Sequence, residues 1–321
     1  MNNIIMERQN HFGIYLKDYL DYYNISINDF AQRVGTTPKN LIEILEGKIS
    51  ISQNMIYNIA FISGISVSFI ENLESSFIID KKIKQFIDSK KITIRNYLNS
   101  FNYKELSKRF NIKYSNEKDD YDIAESILRY LRINDPKLLY KEDNTIFYKS
   151  KCDKPELLAL WLERCYRLSQ EQKIKEYNKD NIEYLVNVIR NEAKYNRFNE
   201  KYLIKEFNNK GIYLVIEDDL TGSKIRGAFK VLNTKPAVYI TRKHKRIADI
   251  YFALLHELAH CKTDYNRAKK ASIVSLFNYK SDSDYEIKAD KTALNWMVPE
   301  EKYKEIINNK NYNYEIMSFL V

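Results

Sequence analysis

The 321-residue chain is predicted to be mostly α-helical, with an α+β domain at its C-terminal end. Three observations predict this. The chain holds only seven glycines and five prolines, where average usage would place roughly twenty glycines, so helix-compatible residues run on with few breakers. Apolar residues recur at helical spacing through most of its length. Short runs of β-forming residues occur only between residues 211 and 241, with helical patterns on both sides.

The elements follow in order. Phe12, Tyr15, Leu16, Tyr19 and Leu20 mark a first amphipathic helix. A second is expected from Ile27 to Val34, with Ser26 as N-cap and Gly35 as breaker. Thr36 or Thr37 caps a third, Lys39 to Glu46, with Pro38 in its first turn and Gly47 past its end. Helices near Ser52–Ser63 and Ser66–Leu73, separated by Gly64, complete a five-helix bundle over residues 1–75. Residues 76–150 read as a charged helical linker region, with short helices at 80–90, 92–99, 103–110 and 120–132, a loop at Ser115–Asp122 and a turn at Asp135-Pro136. From 151 to 321 the patterning changes. Long helical patterns cover 155–175 and 180–208, and strands are expected at Gly211–Glu217, Ile225–Leu232 and Ala237–Thr241 as a small antiparallel sheet. Helices Arg246–Cys261 and Asp284–Met297 follow, the latter halted by Pro299, with a last helix at Glu300–Asn308.

Composition excludes several classes. No GxGxxG or GxxxxGK[ST] phosphate loop occurs. Cys152, Cys165 and Cys261 are odd in number and form no CxxC pair, which argues against a disulfide framework. The segment MNNIIMERQN has no apolar core of a signal peptide, and no run approaches 18 apolar residues. A cytoplasmic protein with no membrane partner is the expectation.

The strongest chemical signal is His256-Glu257-Leu258-Ala259-His260, in a chain with only four histidines. On a helix, residues i and i+4 share a face, so both imidazoles can reach one Zn2+ ion. Glu257 beside them is placed to act as general base on a water activated by the metal. The helix is otherwise heavily apolar (Ile247, Ile250, Tyr251, Leu254, Leu255, Leu258), so histidines on it need partners. A third ligand is expected from Glu286, with Asp290 one turn later bonded to a ligand histidine. Asp282 and Asp284 are rival ligands. His244, in the basic loop Arg242–Arg246, and Tyr265 are near in sequence, but neither is singled out as an oxyanion donor.

The stretch Ile212–Pro299 resembles the ImmA/IrrE family of zinc metallopeptidases. The residues that carry the likeness are Ile212–Asp219, Lys224-Ile-Arg-Gly-Ala, Pro-Ala-Val-Tyr-Ile-Thr241, the HELAH helix, Glu286 with Ala289-Asp290, and Leu294-Asn-Trp-Met-Val-Pro299. The chain departs from the usual family run in having Asp290 for Asn and Thr292-Ala293 for Phe-Ala. The resemblance implies a zincin-like metallopeptidase domain over 151–321. Its substrate would be a protein, plausible along the strand Ala237–Thr241 by β-addition.

Residues 12–75 resemble the XRE-type, lambda-repressor-like helix-turn-helix module, through the stretch from Ile27 to Gly47. Ala31 permits close helix packing, Gly35 makes the turn, and Ile27, Phe30, Val34, Leu41, Ile44 and Leu45 are expected to hold the interhelical angle. The resemblance implies DNA contacts by Thr37, Lys39, Asn40 and Glu43 in the major groove, and by Gln32 and Thr36 at phosphates or base edges. Arg33, Lys39 and Lys48 would form a locally basic face.

Charge complicates the DNA reading. The chain is +9 overall, yet residues 1–75 carry five basic and eight acidic side chains. The excess of positive charge lies in 76–150 (16 basic, 11 acidic) and 151–321 (31 basic, 24 acidic). Phosphate neutralisation supplies most non-specific DNA affinity, so a lone module should bind weakly, and either a homodimer or the locally basic face is expected to be needed. Two functions remain open. One is a zinc endopeptidase, fused to a DNA-binding regulator, that cleaves a repressor or other regulatory protein in a prophage, mobile-element or stress circuit. The other is a transcription regulator or antitoxin-like protein whose metallopeptidase fold serves as sensor or interaction domain. The intact Glu257 favours the first, since a fold kept only for binding has no need of a general base.

Overall fold

A computed structural model describes residues 11–112, 119–140, 153–243, 246–277 and 284–298. Cys152, His244, Asp282, Pro299 and the expected helix Glu300–Asn308 lie outside the described residues. The chain divides into two compact units, Met1–Leu98 with Ile112–Pro136, and Asn99–Asn111 with Lys137–Val321. Among the described residues it is mostly helical, with one mixed four-stranded sheet in the second unit. No helix among them is long and apolar enough to cross a membrane.

The first unit begins with α1 (Phe12–Tyr22), α2 (Ile27–Val34), α3 (Pro38–Leu45), α4 (Gln53–Ser63) and α5 (Val67–Lys90). Their starts follow from capping. The side chains of Ser26, Thr37, Ser52 and Ser66 each accept a hydrogen bond from a backbone N–H of the first turn they precede. Thr37, not Thr36, is the cap of α3. Phe12, Leu16, Phe30, Ala31, Val34, Leu41, Ile44, Ile59 and Ile70 share one buried cluster. Ile27 does not join the residues that hold the interhelical angle. It is the first residue of α2 and is exposed, because the chain has only just entered the helix there.

Helix α5 differs from expectation. The separate helices near 66–73 and 80–90 are one 24-residue helix, since residues 74–79 contain neither glycine nor proline to stop it. Residue 75 therefore falls inside a helix. The region 76–150 is shared between the units. The end of α5 and α8 (Asp120–Leu131) pack together in the first. Helix α7 (Tyr103–Arg109), which follows α6 (Ile94–Ser100), belongs to the second. Asp135-Pro136, expected as a turn, opens a short 3-10 helix ending at Leu139.

In the second unit, α9 (Pro155–Gln170), α10 (Asn181–Lys194) and α11 (Glu200–Asn209) precede β1 (Tyr213–Glu217), β2 (Ile225–Leu232) and β3 (Lys235–Thr241). The long pattern 180–208 is two helices. Asn196 adopts a left-handed backbone, and the Asn199 side chain caps α11 through the Tyr202 N–H. Then come α12 (Ile247–Thr263), α13 (Tyr265–Ala268), β4 (Ile273–Leu276) and α14 (Asp284–Met297). Strand β4 carries no sequence signal that distinguishes it, being only four residues long.

The sheet order is β1-β3-β2-β4, with β3 parallel to β1 and antiparallel to β2, and β4 antiparallel to β2. The antiparallel sheet expected from sequence is thus mixed. The β2–β3 hairpin, turned at Asn233 and Thr234, places β3 between β2 and β1, and a strand antiparallel to β2 must there run parallel to β1. The same topology overturns Ala237–Thr241 as a substrate-binding edge, because β3 is paired on both sides. Its residues from Pro236 to Thr241 are all buried, since helices cover both faces of the sheet. Val238 and Ile240 pack in one cluster with α10, α11 and α12. Tyr239 meets Trp161 of α9 edge to face on the other side, with ring centroids 6.4 Å apart.

The joint before β1 depends on one glycine. At the end of α11, the Ile212 N–H donates to Phe207 O and the Gly211 N–H to Asn208 O, a Schellman ending. Gly211 has φ +78°, and a Cβ there would lie 2.5 Å from the Tyr177 backbone. Gly211→Ala is expected to destabilise the second unit by about 2 kcal/mol or more, from the left-handed backbone and the overlap together. Denaturant unfolding of wild type and variant measures it.

Candidate metal centre

Helix α12 is buried almost continuously from Ile250 to Cys261, because it fills the space between the sheet and helices α10 and α14. That packing carries His256, Glu257 and His260 into the interior, where none has any exposed surface. Helix α14 approaches closely because Ala289 and Ala293, on the face of Glu286, are small and buried. Glu286 enters the same space.

The three side chains meet at one point. His256 Nε2 and His260 Nε2 are 3.1 Å apart. Glu286 Oε2 is 3.2 Å from the first and Oε1 is 3.2 Å from the second. One ligand atom from each of the three residues lies within 4.8 Å of the others.

The outer nitrogens decide what these atoms are. His256 Nδ1 is 2.8 Å from Asp290 Oδ1, and His260 Nδ1 is 3.1 Å from Asp264 Oδ2. An ionised carboxylate only accepts, so each Nδ1 carries a proton, and a ring in its neutral form turns the lone pair of Nε2 inward. Two lone pairs and a carboxylate then face one another in a dry interior. Glu286 Oε1 is buried without a well-formed hydrogen bond. Such a set repels itself unless a cation stands between its members. The donor set, two imidazoles and one carboxylate, suits Zn2+ with a position left open.

Titration in the metal-free protein reflects the same need. Burial opposes the charged form of His260, yet the contacts with Asp264 and Glu286 outweigh it and raise its pKa to about 9. Burial also opposes ionisation of Glu286, and the two histidines overcome it, lowering its pKa to about 2. For Glu257 the balance goes the other way. Burial raises its pKa, against the attraction of both histidines.

Glu257 is held from the sheet. Ser275 Oγ on β4 donates to Glu257 Oε1 at 2.9 Å, while Oε2 is buried with no hydrogen-bond partner. Gly227 on β2 pairs with Ser275 across the two strands. A Cβ at Gly227 would lie 2.6 Å from Glu257 Oε1, so the carboxylate occupies the room that a side chain would take.

The structure brings together His256, His260, Glu286, Glu257 and Asp290, all singled out from sequence. Asp284 is the exposed first residue of α14 and is not in the cluster. The Tyr265 hydroxyl donates to Thr234 O at 2.5 Å. Three site residues escaped the sequence reading. Asp264 had a signal, since it follows His260 by four residues as Asp290 follows Glu286. Gly227, a lone glycine inside a strand pattern, signals close backbone approach. Ser275 had none.

The residues expected to contact DNA lie in the first unit on α2, α3 and the turns around them. Gln32, Arg33, Thr37, Lys39 and Lys48 are exposed, and Thr36, Asn40 and Glu43 are partly so. Two of the three cations are engaged by carboxylates, Arg33 with Asp29 at 2.9 Å and Lys48 with Glu46 at 2.6 Å. Asn40 Nδ2 donates to Thr36 Oγ1 at 2.8 Å. The basic face is therefore partly neutralised.

Comparison of the chain with protein-family models, with curated proteins and with solved structures gave no match.

Asp264→Ala and Asp290→Ala should each weaken zinc affinity about 10- to 100-fold by freeing a ligand imidazole. Competition with a chromogenic chelator measures this. Zinc must also displace the proton held by His260, whose pKa is about 9. Below that pH, affinity of the metal-free protein should fall about tenfold per pH unit for that one proton.

Proposed function

We propose that the chain is a zinc-dependent endopeptidase of the ImmA/IrrE type joined to an XRE-type helix-turn-helix domain, and that it cleaves a repressor or regulatory protein. The observation that carries the peptidase reading is the convergence of His256, His260 and Glu286, with Glu257 at their side and a carboxylate behind each imidazole.

Bound between these three residues, zinc would supply Lewis acidity for a peptide carbonyl and for water. The protein's own groups do the rest. Asp264 and Asp290 fix the tautomer in which both Nε2 atoms are donors to the metal. Glu257 accepts the proton of the attacking water and then delivers it to the departing amine nitrogen. Burial raises its pKa in the metal-free protein, and a cation bound beside it would draw it down again. The closed interior keeps bulk water from these charges and strengthens their fields.

The helix-turn-helix half rests on the α2–α3 arrangement and its capping. The neutralised cations of that face favour a homodimer, in which two weak contacts add. The two described cysteines, Cys165 and Cys261, are buried free thiols, in keeping with a cytoplasmic setting.

Purified protein should hold about one zinc per chain, and His260→Ala should lose it. Peptides from a digested proteome, read by mass spectrometry for new termini, should be cut by wild type. Glu257→Gln should keep zinc and lose about 10²- to 10⁴-fold in rate. Absence of zinc, or equal cutting by Glu257→Gln, removes the reading. Gly227→Ala should keep zinc yet lose about 10²-fold in rate or more, because the new methyl group displaces the Glu257 carboxylate.

A further inference from the structure

Ser275 Oγ lies between the Glu257 carboxylate and the inward nitrogen of His256. Its Oγ is 2.9 Å from Glu257 Oε1, to which it donates, and 3.1 Å from His256 Nε2. The second distance equals that between the two histidine Nε2 atoms. With its proton committed to Glu257, the hydroxyl oxygen can only turn a lone pair toward His256 Nε2, which is itself a lone pair. The oxygen thus has both relations required of the nucleophilic water. It donates a hydrogen bond to the general base, and it lies beside the nitrogen that His256 turns inward.

Two further facts make this a placement of the fold. Ser275 is only 4% exposed and sits on β4, hydrogen-bonded to β2 opposite Gly227. Its backbone, and so its reach into the site, is set by the sheet. And among the described residues β4 is paired with β2 alone.

Resting on the peptidase reading, we propose that Ser275 is a built-in occupant of the water position. It completes a closed, four-residue site of His256, His260, Glu286 and Ser275, and holds the enzyme latent until β4 withdraws.

The test uses full-length protein and three forms: wild type, Ser275→Ala and Ser275→Cys. Zinc content and a thermal melt are measured for each. Acetohydroxamate, which binds a metal only where a position is free, serves as probe. Ser275→Ala should keep zinc, bind acetohydroxamate about tenfold more tightly than wild type and cut peptides faster, the loss of one competing hydroxyl being of that order. Ser275→Cys, loaded with cobalt, should show a thiolate-to-cobalt charge-transfer band and no cleavage. Slower cutting by Ser275→Ala with unchanged acetohydroxamate affinity would mean that the hydroxyl only positions Glu257, and overturns the proposal. So does a cobalt-loaded Ser275→Cys protein without the thiolate band, a result independent of how Ser275→Ala folds. If none of the three forms holds metal, the peptidase reading itself falls and this inference falls with it, an outcome the zinc content identifies by itself.

Discussion

Three electron-pair donors pressed together in a dry interior set the terms for the second unit. His256 Nε2, His260 Nε2 and the Glu286 carboxylate stand 3.1–3.2 Å apart, an arrangement that calls for a cation or a proton between them. Burial gives up the solvation of these groups, a cost that runs to several kcal/mol for an unpaired charge. Most of the surrounding architecture bears on that cost. Asp264 and Asp290 orient the rings. Ala289 and Ala293 let α14 come close enough to deliver Glu286. Gly227 leaves the space that Glu257 fills. The sheet and the helices around it keep α12 covered along almost its whole length.

Charge elsewhere in the chain obeys a different logic. The overall +9 suggests contact with nucleic acid, but residues 1–75 carry more acid than base, and Arg33 and Lys48 there are held by neighbouring carboxylates. In the second unit, arginines serve structure. Arg109 donates to the backbone carbonyls of Asp218 and Asp219 and pairs with Glu217, tying α7 to the end of β1. Arg242 pairs with Glu200 and with Asp218. Net charge is a sum over such engagements and does not report a binding face.

The scarcity of glycine also has a structural answer. Among the described residues, eight other than glycine adopt positive φ, and five of them are asparagines: Asn24, Asn102, Asn111, Asn196 and Asn233. Asparagine tolerates the left-handed region better than most side chains. The chain thus makes several of its turns without glycine, so the break at Asn196 carries no glycine signal, whereas Gly35 and Gly47 mark theirs; Gly211, expected as the first residue of a strand, lies instead in the turn that ends α11.

Sequence by itself determined the local elements and the chemistry they bear. Capping serines and Thr37, the glycine stops, the apolar face of α12 and the i,i+4 pairs His256/His260 and Glu286/Asp290 are all short-range features. Each acts within one or two helical turns, so each is legible in a few consecutive residues. The continuity of α5 was hidden by weak periodicity, and β4 by its length. What only the tertiary structure decided is everything that depends on which strand lies beside which. The place of β3 between β1 and β2, and with it the loss of Ala237–Thr241 as a free edge, follows from long-range pairing. So does the meeting of Gly227 and Ser275 against Glu257. Those contacts join residues tens of positions apart, and no local pattern encodes them. They form when the sheet packs against α12, because only then do β2 and β4 come beside its carboxylate and imidazoles.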